Sequence, residues 1–275
     1  MSEITVPNIQ EEKIREYAVD GKRLDGRNIK DVRDIVVERD ISKNAESAVS
    51  VKIGKTEVYC GVKMAVVTPY SDSPDEGTFM ASAELHPMSS EKYDLGKPGI
   101  NAIELARVID RGIRESGLVD FKGLCIKEGE KVWQVFLDII AINDDGNLFD
   151  AAGIAGLIAL ASAKLPKYNE ETDTIKHEFT DTPLPLNKEA LSVNFTLHKI
   201  GNKILVDPSF EEELISDYRL SIAIADNNGA ARITAMQKGK EGQITADEMN
   251  DILDTVTELH KSALPGILDL IWQKK

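Results

Sequence analysis

The 275-residue sequence contains little cysteine, few aromatic residues and no long apolar run. Two cysteines, Cys60 and Cys125, are too few for a disulfide framework, so we expect a reducing, cytoplasmic environment. The longest nearly apolar stretch, Ala151–Ala163, is too short to cross a lipid bilayer. Residues 1–17 carry charges and lack the apolar segment of a secretory signal. These absences predict no membrane association.

Positive charge is also in deficit. The chain has 33 Lys and Arg against 47 Asp and Glu, which gives a formal net charge of −14. This balance excludes a protein that coats nucleic acid through its whole surface, so binding of a polyanion would require a local basic patch. Hydrophobic residues make up 42% of the chain, which is enough for a folded core and too much for a disordered protein.

Motifs that usually mark metal, nucleotide or nucleophile chemistry are missing. The four histidines, His86, His177, His198 and His260, show no metal-ligand spacing, and we expect surface or ordinary structural roles for them. Neither a GxSxG nucleophile elbow nor a GxxxxGK[ST] phosphate loop occurs. We therefore expect no metal and no cofactor, and the usual support for a hydrolase or a nucleoside triphosphatase is lacking.

What the sequence does contain is a pattern of strands followed by helices that occurs twice. It predicts an α+β protein with two β-α-β-α halves, each a mixed sheet with helices packed on one face. We expect domains over residues 31–165 and 189–275, an amino-terminal extension over 1–30 and a connecting segment over 166–188. The predicted strands are Asp34–Ile41, Ser47–Ile53, Glu57–Val67, Thr78–Leu85, Lys131–Ile142, Ala190–Thr196, Lys203–Val206, Tyr218–Ala225 and Arg232–Gln237.

Local signals predict where some elements begin and end. The run Asn143–Gly146 is typical of a hairpin turn, and Asp150 is expected to cap the second long helix. Thr245 and Glu248 predict a capping box at the start of the last helix. The Pro265-Gly266 pair is expected to interrupt that helix.

The helix predicted over Asn101–Ser116 carries the most informative chemistry. Its apolar residues share one side, and Arg107, Arg111 and Arg114 lie on the opposite side at spacing i, i+4, i+7. The spacing favours a solvated face with ion pairs such as Arg111–Glu115. The alternative is a row of guanidinium groups that follows a phosphodiester backbone, and the choice of Arg three times weighs slightly toward it.

Two other segments are weaker candidates for binding anions or metals. The helix start Asp150–Gly156 is rich in glycine and could hold a phosphate on free N–H groups, but close packing on the sheet is favoured because no cation follows. The acidic run Asp207–Glu213 could bind Mg²⁺ or supply acid catalysis, but an acidic cap on a short helix is favoured.

Several short motifs, in this order, resemble the RNase PH family over roughly residues 20 to 260. Within that family the chain is most similar to the non-catalytic RNase PH-like subunits of the archaeal exosome ring. The motifs are Lys22–Arg27 (KRLDGR), Ser73–Gly77 (SPDEG), Asn101–Arg107 (NAIELAR), Trp133 in the long strand and Val206–Pro208 (VDP).

The resemblance implies a reaction in which active members degrade RNA from its 3′ end with inorganic phosphate as the nucleophile. It also implies their site: an arginine pair before the long helix, a Gly-Ser/Thr-Arg segment at the second helix start, and two nearby Asp residues. The matching positions here are Ile100 with Asn101, Ala152–Ile154, and Asp207 with Glu213. Because the cations are missing, nothing would offset the repulsion between phosphate and RNA, and we expect no catalytic residues.

The resemblance further implies a ring of three heterodimers, in which catalytic and non-catalytic RNase PH-like subunits alternate and cap RNA-binding subunits lie on top. The non-catalytic subunit presents arginines of the long helix to single-stranded RNA, and Arg107 and Arg111 match those positions. We therefore expect a non-catalytic RNA-binding subunit that also orders the neighbouring active site; the role of Arg114 stays open. Two alternatives remain, an active phosphate-dependent exoribonuclease that uses other residues and an unrelated small-molecule enzyme.

Overall fold

Two sheets, a helical layer between them and a separate hairpin make up the structure. The computed structural model describes residues 5–227 and 230–272, without the side chains of residues 177, 179, 227 and 230, so the expectation for His177 lies outside the described residues. The helices are α1 (Asn8–Val19), α2 (Ile100–Ser116), α3 (Leu148–Ser162), α4 (Phe210–Ile215) and α5 (Ala246–Trp272). The strands are β1 (Ile35–Arg39), β2 (Ser47–Ile53), β3 (Thr56–Val67), β4 (Thr78–Leu85), β5 (Cys125–Lys127), β6 (Lys131–Asn143), β7 (Lys164–Asn169), β8 (Thr174–Pro183), β9 (Ser192–Ile200), β10 (Lys203–Val206), β11 (Tyr218–Asn227) and β12 (Ala230–Gly239).

The first sheet has the strand order β1-β2-β3-β6-β4, with β5 beside β6. It is mixed, because β4 runs parallel to β6 while the other strand pairs are antiparallel. Val135, Leu137 and Ile139 of β6 are completely or almost completely buried, as expected for a strand near the sheet centre. The second sheet has the order β10-β9-β11-β12, and these strands pair antiparallel.

Each half contains a tight hairpin of the same kind. Gly54 joins β2 to β3 and Gly201 joins β9 to β10, each as the first residue of a two-residue turn with a φ of about +60°. Glycine takes this left-handed conformation without steric cost. Helices follow the strands in both halves, and the α+β class with repeated halves is confirmed.

The helical layer explains how one core serves both halves. α2 contacts β4 of the first sheet and β12 of the second, and α3 contacts β2 and β3 on one side and β9 on the other. The expected apolar side of α2, which includes Leu105, Ile109 and Gly112, is buried. A Cβ atom at Gly153 of α3 would lie 2.8 Å from the side-chain nitrogen of Asn194 on β9, so glycine permits this close approach. Packing, the favoured role of the glycines in α3, is confirmed.

Two predictions around the start of α3 are wrong. The Asn143–Gly146 run leads from β6 into α3 and makes no hairpin, because Gly146 and Asn147 take positive φ values of 86° and 60° and turn the chain into the helix. α3 then begins at Leu148, so Asp150 is its third residue and not its cap. The side chain of Asp150 bonds to Asn147 and to the backbone of Thr196.

Three other segments refine the expected organisation. α5 starts with the predicted capping box of Thr245 and Glu248, but it continues through Pro265, because Ile267 and Ile271 extend its apolar stripe into the core. The expected connection between the halves folds mostly as the hairpin of β7 and β8. The acidic run after β10 forms the short helix α4, with a capping box, so the favoured interpretation of that run is confirmed.

Candidate functional site

Arg107 and Arg111 lie on the exposed face of α2. They line a groove of about 490 Å³ between α2 and β12. Neither side chain forms a hydrogen bond or an ion pair with any residue in the ranges 5–227 and 230–272, and the expected pair of Arg111 with Glu115 does not form there. Two guanidinium groups are thus available to an external ligand.

The groove around them is positively charged although the protein is acidic. Its carboxylate, that of Glu104, accepts a hydrogen bond of 2.6 Å from Arg219. Lys240 donates to backbone carbonyls at the end of α4, at 3.0 Å and 2.9 Å, and Lys238 donates to a backbone carbonyl at 2.6 Å. Neither lysine forms an ion pair in the described residues, and with Arg107 and Arg111 they outnumber the single carboxylate that lines the groove.

Arg114 has a different role from the other two arginines. Its guanidinium donates to the backbone carbonyl of Phe79 at 2.6 Å and to both carboxylate oxygens of Asp110 at 3.1 Å and 3.2 Å. It also lies 6.0 Å from the ring centroids of Phe79 and Phe121. Arg114 is therefore bonded within the fold and holds α2 against β4, whereas Arg107 and Arg111 face outward.

The two carboxylates that match the family's acidic pair meet at Asn147, the residue before α3. The side-chain amide of Asn147 donates to Asp207 at 2.8 Å, and its backbone N–H donates to Glu213 at 2.7 Å. We refer to Asn147, Asp207 and Glu213 as the acidic corner. The amino-terminal end of a helix attracts anions through its free N–H groups. Here a carboxylate of the protein already lies at that end.

Asp207 is fully buried and fully bonded. Its carboxylate accepts hydrogen bonds from the backbone N–H, Nε and Nη2 of Arg33 at 2.8, 2.9 and 2.7 Å, and one from Arg27 at 2.8 Å. Burial alone would raise the pKa of Asp207, but the bonds and charge of Arg33 outweigh it and hold that pKa below its usual value. Asp207 thus remains a charged structural anchor.

The KRLDGR motif surrounds this anchor. Arg23 pairs with Glu212 in the interior and also donates to the backbone carbonyls of Val206 and Asp207, at 3.0 Å and 2.8 Å. Sequence reasoning identified the motif but missed Arg33 and Asn147 as the main partners of Asp207. The signal for these partners is the position of Asp207 directly after β10. A carboxylate that is buried there needs cationic or hydrogen-bonding partners from elsewhere in the chain.

Glu213 and its neighbours form a second set of internal pairs. Lys92 lies 3.4 Å from Glu213 and 3.5 Å from Asp144. His198 is buried, and burial together with the positive charges of Arg219, Lys240 and Lys92 holds its pKa well below the usual value. A neutral His198 adds no positive charge for an anion. The acidic corner therefore uses the positive charge near it to neutralise its own carboxylates.

The two positions of the expected arginine pair, Ile100 and Asn101, supply no cation to the cleft beside the acidic corner. The cleft measures about 460 Å³, and Asn101, Phe149 and Arg219 line it. The guanidinium of Arg219 stacks 4.2 Å from the ring centroid of Phe149 and bonds to Glu104, so it is already engaged. Ile100, the other position of the expected arginine pair, is an exposed apolar side chain.

The expected phosphate-binding positions need a correction. Ala152–Ile154 lie inside α3 and are buried, because the helix begins at Leu148 and not near Asp150. The first turn of the helix contains Leu148 and Phe149, neither of which carries a positive charge. The first turn of the helix therefore carries no cationic side chain at the corrected position either.

In residues 5–227 and 230–272 no group of three or more His, Cys, Asp and Glu side chains is arranged to hold a metal ion. No helix in the same ranges is long and apolar enough to span a bilayer. His86 is partly exposed, while His198 and His260 are buried at separate places in the fold.

Comparison with known proteins identifies the family. Models of the 3′ exoribonuclease family match domain 1 at residues 31–166 and domain 2 at residues 193–256. The exosome complex component Rrp42 of Methanothermobacter thermautotrophicus is 40% identical over 245 residues, which are 89% of both chains. The Rrp42 of Thermococcus kodakarensis is 42% identical over 252 residues, which are 90% of this chain and 91% of that one.

A solved structure agrees with the sequence comparisons. A chain of the Archaeoglobus fulgidus exosome with RNA bound to the active site superimposes with a TM-score of 0.82 at 39% identity. The match covers 93% of this chain and 98% of that one. The fold, the order of the motifs and the relatives agree, and the chain belongs to the RNase PH (3′ exoribonuclease) family.

Proposed function

We propose that this chain is a non-catalytic, RNA-binding subunit of an exosome ring. It pairs with a catalytic RNase PH-like subunit, in three heterodimers, and supports phosphorolytic degradation of RNA from the 3′ end. The observation that carries the proposal is the pair of unbonded guanidinium groups of Arg107 and Arg111 on a positively charged groove. The names of the Rrp42 relatives, which are exosome components, support the assembly part of the proposal.

The proposed binding mode is sequence-independent. Arg107 and Arg111 are one helical turn apart, about 6 Å along the axis of α2, so they can hold two groups of one extended strand. Guanidinium groups bind phosphate oxygens through paired N–H donors, which position RNA without reading its bases. Single-stranded RNA is therefore the proposed ligand, and the neighbouring catalytic subunit benefits because its substrate is held in place.

The absence of catalysis rests on the charge of the acidic corner. Phosphorolysis brings a phosphate dianion to an RNA phosphodiester, and fixed positive charge must stabilise the additional negative charge. In this chain Glu213 occupies the helix end, while Lys92 pairs with Glu213 and Asp144. An incoming phosphate would meet a carboxylate, so this chain is proposed to have no phosphorolytic activity.

The remaining partners follow from the same proposal. A chain with a net charge of −14 is suited to a more basic catalytic partner, and cap RNA-binding subunits would complete the ring. Both cysteines are free thiols in the structure, which is compatible with a reducing cytoplasm as the proposed location.

RNA binding by the reconstituted ring provides the test. We expect Arg107→Ala/Arg111→Ala to weaken binding of single-stranded RNA and to lower the slope of log K against log salt by about 1.4, since each phosphate contact contributes about 0.7. A matched control is Lys13→Ala/Lys261→Ala, which removes the same charge from exposed positions on α1 and α5. Equal affinity of the arginine variant and the wild type at several salt concentrations would refute the RNA-binding role.

A second experiment tests the lack of catalysis. The purified chain alone is incubated with RNA and inorganic phosphate, and nucleoside diphosphates are measured. We expect none from this chain, and release by the ring that contains the catalytic partner. Nucleoside diphosphates from the chain alone would establish the alternative, an active exoribonuclease.

A further inference from the structure

The groove that carries Arg107 and Arg111 shares a wall with the cleft beside the acidic corner. Glu104, Gly239 and Lys240 line both the groove and the cleft. Of these three residues, Glu104 carries the negative charge. A carboxylate that faced the groove would weaken RNA binding, because it would repel phosphate next to the two arginines.

Arg219 compensates this carboxylate from the side of the cleft. Nη2 of Arg219 donates to Oε1 of Glu104 at 2.6 Å, and the guanidinium stacks 4.2 Å from the ring centroid of Phe149 on α3. Arg219 lines the cleft but not the groove. The side chains of Arg219 and Glu104 are only 15% and 25% exposed, so water and salt screen the pair incompletely. The bond therefore directs the carboxylate toward the cleft.

A glycine gives the guanidinium of Arg219 its space. Gly239 of β12 lies directly opposite Arg219 of β11 in the antiparallel pairing of the two strands. A Cβ atom at Gly239 would lie 2.9 Å from Cζ and Nη2 of Arg219 and 3.1 Å from Nε. Gly239 has no positive φ, so its backbone conformation does not require glycine. What the position requires is room for the guanidinium.

Without Arg219, the carboxylate of Glu104 would have another partner within reach. Residues three positions apart are neighbours on a helix surface, and Glu and Arg at this spacing can form an ion pair. Arg107 stands three positions after Glu104 and has no partner in the described part of the chain. A guanidinium that is paired with a carboxylate offers less positive charge to an RNA phosphate.

We propose that Arg219 is a positioning residue for RNA binding. It holds Glu104 away from Arg107, so that the guanidinium of Arg107 stays free for RNA. Gly239 takes part because it leaves the space that Arg219 occupies. This inference rests on the proposed RNA-binding function of Arg107 and Arg111.

Binding of single-stranded RNA to the reconstituted ring tests the proposal. We expect Arg219→Gln to weaken binding about threefold to tenfold at about 0.1 M salt, and to lower the slope of log K against log salt by about 0.7, the share of one phosphate contact. Adding Glu104→Gln should restore the wild-type slope and bring the affinity within about twofold of the wild type, because no carboxylate is left to pair with Arg107. Gel filtration confirms that each variant assembles into the ring.

A second variant tests the same mechanism without a change of charge. Gly239→Val displaces the guanidinium of Arg219, so RNA binding should weaken, and Glu104→Gln should restore it again. The matched control is Ala231→Val, which adds bulk at an exposed position of the same strand that lines neither the groove nor the cleft. This control should bind RNA as the wild type does.

The background of the arginine variant separates this mechanism from a general loss of positive charge. In a ring that carries Arg107→Ala/Arg111→Ala, adding Arg219→Gln should change the affinity by less than about twofold, because the guanidinium that Arg219 keeps free is gone. A general charge effect would act equally in both backgrounds, and that result would overturn the proposal.

Two further results would also overturn it. These are wild-type RNA affinity of both Arg219→Gln and Gly239→Val, and failure of Glu104→Gln to restore binding in either variant. If the ring with Arg219→Gln does not assemble, Gly239→Val with and without Glu104→Gln decides. The proposed function fails separately, when Arg107→Ala/Arg111→Ala binds RNA as tightly as the wild type, and the role of Arg219 then falls with it.

Discussion

The carboxylate of Glu213 accepts the backbone N–H of Asn147 at 2.7 Å, directly before α3. This bond connects α4, in the second half of the chain, to the start of α3, the helix that packs between the two sheets. It neutralises part of the positive end of the helix dipole, and Lys92 supports it from the other side at 3.4 Å. A carboxylate in this place stabilises the fold and at the same time repels phosphate.

Arg114 should contribute to stability and not to RNA binding. We expect Arg114→Ala to lower the free energy of unfolding by about 1–2 kcal/mol, because the carbonyl of Phe79 loses its donor and Asp110 loses its ion pair. Arg111→Ala should cost less than about 0.5 kcal/mol, since an exposed side chain without a partner is removed. Chemical denaturation of both variants measures the difference. A larger loss from Arg111→Ala would contradict the assigned roles.

Asp207 should be among the most sensitive positions of the chain. Asp207→Asn removes the charge that balances Arg33 in the interior, and we expect a loss of about 3–5 kcal/mol in the free energy of unfolding. Asp25→Asn is the matched control, because Asp25 pairs with Arg27 at a side-chain exposure of 45% and should cost about 0.5 kcal/mol. Thermal unfolding compares the two variants. Equal stability would show that Asp207 is not an anchor.

Asp150 should make stability depend on pH in the direction opposite to most carboxylates. Its pKa is about 7 in the folded chain and near 4 when unfolded, so the folded state binds the proton more tightly. Its contribution is full below about pH 4 and is lost as the pH rises to about 7, on the order of a few kcal/mol in total. Denaturant titrations at several pH values should show this loss in the wild type and not in Asp150→Asn. Parallel pH profiles for the two proteins would contradict the prediction.

Two glycines with similar backbone conformations should differ strongly in their tolerance of a side chain. Gly146 has a φ of +86°, and a Cβ atom there would lie 2.5 Å from the carbonyl oxygen of Pro208. Gly129 has a φ of +74°, but a Cβ atom there would meet nothing within 4 Å. We expect Gly129→Ala to cost about 1 kcal/mol and Gly146→Ala at least about 3 kcal/mol, because the backbone must also move. Similar unfolding midpoints for the two variants would disprove the close contact at Gly146.

Much of the fold could be predicted from the sequence because the periodicity was unambiguous. β3 and β6 follow long runs rich in β-branched residues, and α2 follows a clean apolar stripe. The errors lie where tertiary contacts override local signals. The Asn143–Gly146 run has the composition of a hairpin turn, yet the chain enters α3 there because the buried Asn147 is held by Asp207 and Glu213. Pro265 stays within α5 because a continuous helix buries Ile267 and Ile271 in the core, which stabilises it.

The candidate site was predictable only in part. Spacing placed Arg107, Arg111 and Arg114 on one helix face, but it could not show that Arg114 reaches the backbone of β4. The partners of Asp207 are distant in sequence: Arg33 is separated from it by 174 positions, and no local pattern joins them. The boundaries proposed for the two domains stay a prediction.

The bond between Glu213 and Asn147 also limits how this chain could be redesigned to bind phosphate. Phosphate binding would need an arginine near α3, but a new arginine alone would pair with Glu213 and be neutralised. Removal of Glu213 alone would leave the helix end without its acceptor and Lys92 with Asp144 alone, and would weaken the fold. Each single substitution is therefore unproductive or harmful, so a phosphate site at this helix end would require at least two changes made together.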